Sequence, residues 1–379
     1  MSVTQCRVRF WMFVILGVGA LPAAASAAKY YEVLPLSELN RGQAHLRWHK
    51  FTVVEGTTTY HHVAQLTDAA KDLEINKTIN TGTSPSTSNL TTLASWTADI
   101  GAPTQSRVGN ALGVEIVGDY IQFPESQNDQ VVRIHKDTGT VSIHTSAADI
   151  KAVTGLTSIA VTNFSGMSPG GESLFYESAS NTILQTAGPG ALTTLVTSAD
   201  LAAVGATVKS GLTYDGAGNL YWGDDAGDHN TAPVGDRIFR RSPGGAIETI
   251  LDANDFLALG ITDNRATFGG DMYYGPDGLI YLRYGRTGEG SLGIYSFDPS
   301  LADPAASLAI VLSEADLIAG PAGLNAANAG FTYHMSWWNG YLAFTKEPER
   351  GTQGYFALPE PASLLFIVLG ALGLLRRSR

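Results

Sequence analysis

One loop near the middle of the chain carries the densest set of groups that could bind a metal ion. It runs from Gly223 to Asn230 and supplies the carboxylates of Asp224, Asp225 and Asp228. Hard cations such as Ca²⁺ prefer carboxylate and carbonyl oxygens in a flexible loop. The sequence therefore predicts a Ca²⁺ site at this loop, with these three aspartates as its ligands.

The same loop departs from the EF-hand pattern of Ca²⁺ ligands. Ala226 occupies a ligand position, and Gly235 stands where the final glutamate of the motif belongs. The neighbouring Asp236 and Arg237 could instead form an exposed ion pair, which contributes little to stability. The ion pair is the alternative to the metal site.

Further polar residues cluster in the loops that are predicted to join the second strand of a repeated four-stranded unit to its third strand. Loop residues carry binding and catalysis more often than strand residues do, so these side chains are candidates for a ligand-binding face. The alternative is that they only present a polar surface to water. The candidates are Glu125, Asp129, Glu177, Arg283, Arg286, Glu349 and Arg350.

Sequence motifs of common enzymes are absent. The chain contains no His-Glu-x-x-His, no Gly-x-Ser-x-Gly and no phosphate-binding P-loop motif. A Gly-x-Gly-x-x-Gly match at 288–293 lacks the surrounding strand–helix–strand pattern and is interpreted as a hairpin loop. The single cysteine, Cys6, lies in the segment interpreted below as a leader, so no thiol chemistry or disulfide is expected in the mature chain. No catalytic residue is predicted.

Residues 1–28 have the features of a secretory signal peptide. Arg7 and Arg9 form a positive start, an apolar run follows over 10–21, and Pro22 ends that run. An uncleaved membrane anchor is the alternative, but twelve apolar residues fall short of the roughly 20 that span a bilayer. We therefore expect signal peptidase to act on this segment. The small residues of the predicted cleavage site are Ala25, Ala27 and Ala28.

The C-terminal 21 residues, 359–379, combine three features in a fixed order. Pro359, Glu360 and Pro361 come first, a mostly apolar stretch follows over 362–375, and an arginine cluster ends the chain. This order resembles the PEP-CTERM sorting signal. The arginines are Arg376, Arg377 and Arg379.

The PEP-CTERM resemblance implies export in a Gram-negative bacterium. An exosortase would recognise the tail while its helix is transiently inserted in the inner membrane, and the processed protein would reach the cell surface or extracellular matrix. Such proteins are associated with exopolysaccharide and biofilm. A permanent tail anchor is the alternative.

Removal of both ends leaves a strongly acidic chain. Residues 29–358 contain 19 Lys and Arg against 34 Asp and Glu. Nucleic-acid binding needs a basic surface that neutralises phosphates, so we expect no nucleic-acid partner.

An internal repeat organises residues 29–358. A β-rich segment that ends in a small residue, an acid and an apolar residue recurs with acids at positions 38, 99, 149, 200, 255 and 316. A period of about 50 to 60 residues suits a four-stranded propeller blade. After Asp316 only three strands are predicted, so the N-terminal strand at 31–36 must supply the fourth. The sequence predicts an all-β, six-bladed β-propeller that this strand closes.

The stretch from Leu212 to Trp222 resembles the strand–turn–strand consensus of NHL-like and gluconolactonase-like six-bladed propellers. A flat β-sandwich and a right-handed β-helix are the structural alternatives. Two functions are considered. The sorting tail, the acidic chain and the absence of catalytic motifs favour the first, a non-catalytic binding or structural protein that contacts extracellular polysaccharide or another matrix component. The second is a Ca²⁺-type, metal-dependent hydrolase or lyase of the gluconolactonase-like kind.

Overall fold

A computed structural model describes twelve stretches of the chain. They form six antiparallel sheets of four strands each. The predicted signal peptide, the sorting tail, and Asp228, Arg286, Glu349 and Arg350 lie outside the described residues. The described stretches are 31–35, 46–65, 74–79, 85–101, 114–126, 128–225, 236–261, 268–285, 290–319, 335–338, 341–346 and 354–358.

Five of the six sheets are built from four strands that follow one another along the chain. The first sheet contains β2 (Leu46–Glu55), β3 (Thr58–Gln65), β4 (Ile75–Ile79) and β5 (Ser86–Asn89). The second contains β6 (Glu115–Val117), β7 (Tyr120–Glu125), β8 (Gln130–His135) and β9 (Val141–Thr145). The third contains β10 (Val161–Met167), β11 (Ser173–Glu177), β12 (Thr182–Thr186) and β13 (Leu192–Val196). The fourth contains β14 (Thr213–Tyr214), β15 (Leu220–Asp225), β16 (Asp236–Arg241) and β17 (Ile247–Leu251). The fifth contains β18 (Phe268–Tyr274), β19 (Ile280–Tyr284), β20 (Gly293–Phe297) and β21 (Ala309–Ser313).

The sixth sheet joins the two ends of the described chain. It contains β22 (Met335–Trp338), β23 (Tyr341–Lys346) and β24 (Gly354–Ala357), and its fourth strand is β1 (Tyr31–Pro35). Strand β1 runs antiparallel to β24, with Tyr31 opposite Ala357 and Pro35 opposite Gly354. This pairing is the one that the strand count after Asp316 predicts, and it covers an edge that would otherwise be open to aggregation.

The sheets follow one another around a ring. The first strands of neighbouring sheets contact each other in the pairs β2–β6, β10–β14, β14–β18, β18–β22 and β22–β2, while β10 also contacts β7. The prediction of an all-β propeller is therefore confirmed, and the flat sandwich and the β-helix are excluded.

Apolar side chains fill the space between successive sheets. Between the third and fourth sheets, Leu174 and Leu212 are buried beside Trp222, and the Trp222 ring stacks on Phe239 with centroids 5.6 Å apart. The outermost strand β5 is largely exposed. The middle strands of the sheets, such as β11 and β19, bury side chains on both of their faces because every sheet has a neighbour on each side. This explains why several strands are almost continuously apolar rather than alternating. Trp222 therefore belongs to the core.

Short helices connect the last strand of one sheet to the next sheet. Most of them begin with a capping box, in which the N-cap side chain and the third helical residue exchange hydrogen bonds. The Ser146 hydroxyl accepts from the Asp149 N–H at 3.2 Å, and the Asp149 carboxylate accepts from the Ser146 N–H at 2.9 Å. The helices are α1 (Leu93–Ile100), α2 (Ala147–Thr154), α3 (Ser198–Ala203), α4 (Ala253–Ala258) and α5 (Glu314–Ala319), and a 3₁₀ turn spans Pro304–Ser307.

The recurring acids Asp149, Asp200, Asp255 and Asp316 all hold this capping position. Asp99 does not. In α1 the capping box is formed by Thr92 and Ser95, and the Asp99 carboxylate instead accepts from the Val141 N–H at 2.7 Å. Asp99 thus links the first sheet to the second.

Among the described residues, no helix is both long enough and apolar enough to cross a membrane.

Candidate functional site

The candidate ligand-face residues Glu125 and Asp129 lie in one turn, and both carboxylates accept hydrogen bonds from other residues of the protein. Glu125 is fully buried and accepts from the backbone N–H of Asn128 at 3.3 Å, from its side-chain amide at 2.7 Å, and from the Gln130 amide at 3.1 Å. Asp129 has a positive φ of 50° and accepts from the Val161 N–H at 2.8 Å, which joins the second sheet to the third. Both side chains shape the turn instead of facing an open surface.

Glu177 occupies the matching position at the end of β11 and is also fully buried. Its carboxylate accepts from the N–H groups of Ala160 at 2.6 Å, Ala179 at 3.0 Å and Ser180 at 2.6 Å. Arg283, on β19, is only 3% exposed. Glu125, Glu177 and Arg283 are therefore buried within the ring, and their assignment to a ligand-binding face stays a prediction.

Asp224, a predicted Ca²⁺ ligand, is fully buried and bound to other side chains. One carboxylate oxygen accepts from the Thr207 hydroxyl, and the other forms an ion pair with the Arg237 guanidinium at 2.8 Å. Arg237 also donates to the carbonyl oxygens of Val204 at 3.2 Å and Gly205 at 2.5 Å, at the end of α3. A guanidinium already neutralises this carboxylate, and Asp228 lies outside the described residues, so the Ca²⁺ site formed by the three aspartates stays a prediction.

The ion pair that the sequence placed between Asp236 and Arg237 is absent, since Arg237 pairs with Asp224. The Asp236 carboxylate accepts instead from the Tyr284 hydroxyl at 2.6 Å. Asp225 lies on β15 with its backbone opposite Asp236. In the described part of the chain, no group of three or more His, Cys, Asp or Glu side chains is arranged to hold a metal ion.

A cavity of about 180 Å³ opens among the innermost strands of four successive sheets. Its walls come from the ends of β2, β18 and β22 and from the short strand β6, close to the turns that lead to each second strand. The lining residues are Val53, Val54, Val114, Glu115, Ile116, Met272, Tyr273, Met335, Ser336 and Trp337.

Glu115 is the only carboxylate among the described residues that line this cavity. Within the described stretches no hydrogen bond or ion pair reaches its side chain. Glu115 is partly exposed in the structure, and partial removal from water by the surrounding groups raises the pKa of this carboxyl to about 7, from an ordinary value of 4.5. Near neutral pH the group therefore exists both as an acid that donates a hydrogen bond and as an anion.

Glu115 is not among the site residues that the sequence patterns predict. The sequence nevertheless distinguishes this residue, because Glu115 is the single charged residue in the apolar stretch Val114 to Val117, between two glycines at 113 and 118. A carboxyl whose pKa is perturbed within a cavity is a candidate for function on physical grounds.

No protein-family model and no curated protein matches this sequence. Solved structures do resemble the fold. A luciferin-regenerating enzyme aligns over 87% of this chain and 96% of its own, with a TM-score of 0.50 and 6% identity. The calcium-binding protein regucalcin from Agrobacterium tumefaciens covers 87% and 93%, with a TM-score of 0.49 and 13% identity. An inactive virginiamycin B lyase from Staphylococcus aureus covers 87% and 98%, with a TM-score of 0.48 and 12% identity.

With a TM-score of 0.50 and 6% identity, the luciferin-regenerating enzyme shows a shared fold and nothing finer.

Proposed function

We propose that this chain is an exported, non-catalytic six-bladed β-propeller that binds a small ligand in its central cavity. The observation that supports the proposal is Glu115, a carboxyl without a described partner in a cavity that is lined by apolar side chains together with a few polar groups. Binding sites of this kind combine apolar walls with a few polar groups that fix the orientation of the ligand. The six sheets would act as the rigid scaffold that holds the cavity walls.

The chain ends support delivery to the cell surface. Residues 1–28 would direct export, and 359–379 would direct exosortase processing, with contact to extracellular polysaccharide as the expected setting. Mass spectrometry of the protein recovered from cells tests both ends. We expect an N-terminus at Ala28 or residue 29 and a C-terminus near Pro359 to Pro361. A surface protein that retains residues 362–379 would contradict the sorting proposal.

Binding is tested separately by screening the purified protein against small fragments and following its melting temperature. We expect fragments that stabilise wild-type protein to lose their effect in Met335→Trp, which places a larger side chain in the cavity. Loss of the effect in the matched variant Leu301→Trp, at an exposed position 42% accessible, would show that the change is unspecific and refute the cavity as the site.

The same samples distinguish binding from the metal-dependent hydrolase or lyase alternative. Elemental analysis should find no tightly held divalent ion, and chelation should leave fragment binding unchanged. A stoichiometric divalent ion together with lactone hydrolysis that chelation abolishes would favour the enzyme instead.

A further inference from the structure

The size and walls of the cavity limit the ligand. A cavity of about 150 Å³ lined by apolar side chains accommodates benzene, so 180 Å³ suits a molecule with one small ring or a short branched chain. Val53, Met272 and Met335 are buried and form apolar wall, and methionine adapts to irregular shapes. The body of the ligand should therefore be small and apolar.

Charge limits the ligand further. An ionised carboxylate in apolar surroundings is unfavourable until a cation or hydrogen-bond donor reaches it. The described walls provide no cation. Arg133 lies in register with Glu115 across β7, through Gln122, but its guanidinium donates to the Gln122 side-chain oxygen at 2.5 Å. Lys136 is paired with Glu55 at 2.7 Å and lies 3.7 Å from Asp119. A positive group on the ligand would supply the missing charge.

Aromatic side chains on the facing strands favour the same chemistry. Tyr273 on β18 and Trp337 on β22 both line the cavity. The face of an aromatic ring attracts ammonium groups, and tryptophan does so most strongly. Strand β2 contributes only Val53 and Val54 to the cavity wall. Among the described lining residues, the titratable ones are Glu115 and Tyr273.

The geometry points to a small organic cation as the ligand: an apolar body that fills the cavity and a protonated amine that pairs with Glu115. This inference rests on the proposal that the cavity is a binding site, and it names the class of ligand. The carboxylate must be ionised to pair with the amine. Binding should therefore strengthen as the pH rises through the pKa of Glu115 and should release a proton near neutral pH.

Isothermal titration calorimetry with three probes of similar shape tests the inference. The probes are benzylammonium, which is a cation, benzyl alcohol, which is neutral, and benzoate, which is an anion. We expect benzylammonium to bind best, and about thirtyfold more tightly at pH 8 than at pH 5.5, because the ionised fraction of a carboxyl with a pKa near 7 changes by that factor. Titrations in two buffers of different ionisation enthalpy should show proton release at pH 7.

The variant Glu115→Gln should reduce the affinity for benzylammonium at least tenfold and leave benzyl alcohol unchanged. Glu248→Gln is the matched control, because it removes the same charge from an exposed residue paired with Arg240 and should change neither. Cooperative unfolding of each variant shows that it is folded.

The possible outcomes separate the two proposals. Equal binding of benzyl alcohol and benzylammonium, unaffected by Glu115→Gln, would overturn the cation inference and leave the cavity as a binding site. Failure of all three probes to bind at millimolar concentration would overturn both proposals.

Discussion

Replacing Glu115 by glutamine should stabilise the protein at high pH and much less at low pH. The folded state raises the pKa of this carboxyl from 4.5 to about 7, so between these values the folded state binds more protons than the unfolded state. The free energy of unfolding of the wild type must then fall as the pH rises through this window. Glutamine cannot ionise and avoids this loss.

The size of the effect follows from the pKa values. One pKa unit corresponds to about 1.4 kcal/mol, and the two states differ by roughly 2.5 units. At pH 5 part of the penalty is already present, so the advantage of the variant should grow by about 2 to 3 kcal/mol between pH 5 and pH 8.5. Any constant cost of placing an amide in the cavity cancels in this comparison.

Denaturant unfolding at a series of pH values measures this difference. Glu248→Gln again serves as the control, since it removes the same charge from an exposed ion pair that contributes about 1 kcal/mol or less. A difference between Glu115→Gln and wild type that stays constant within about 0.5 kcal/mol from pH 5 to pH 8.5 would refute the assignment of Glu115 to a desolvated site.

Three further results are expected. Burial and the neighbouring Arg133 lower the pKa of His144 to about 4 from 6.5, so the stability that depends on neutral His144 is present above pH 6.5 and lost as the pH falls toward 4. In His144→Gln the loss of unfolding free energy between pH 6.5 and pH 4 should be smaller than in wild type by up to about 3 kcal/mol. An equal loss in both proteins, measured by denaturant unfolding, would contradict the lowered pKa of His144. Asp224→Asn should cost about 2 kcal/mol in denaturant unfolding, because Arg237 loses its partner but is partly solvated. Added Ca²⁺ should shift the melting temperatures of wild type and this variant equally, whereas a shift seen only in wild type would restore Asp224 as a ligand. Deletion of 1–35 should remove the strand that pairs with β24 and lower the melting temperature of the whole domain by more than 10 °C, a loss of several kcal/mol, and an unchanged melting curve would contradict ring closure by β1.

Local patterns predicted the repeat well because its parts are short-range. Ser146 and Asp149 lie three residues apart, so a capping box between them depends only on the geometry of one helical turn. Asp99 belongs to the same repeat but does not cap its helix. Ser95 holds the capping position in that helix, and the contact of Asp99 with Val141 spans two sheets.

The candidate site was much less accessible to sequence reasoning. Polar residues at the ends of second strands suggested an open face, yet Glu125 and Glu177 fold back on their own turns and Asp224 pairs with Arg237. An acid in a loop pattern looks the same whether its carboxylate faces water or accepts hydrogen bonds from the backbone. Only the fold distinguishes the two situations.

Strand periodicity and turn residues are local properties of the chain. They were therefore enough to predict the period of the repeat, the all-β propeller and the pairing of the N-terminal strand with the last sheet. Tertiary structure alone decided the surroundings of Glu115. The cavity that encloses it is walled by Val53, Met272 and Met335, which lie more than 60 residues away from it in the chain. The pKa of a carboxyl depends on the water it loses, and that loss arises only when distant segments of the chain pack around it.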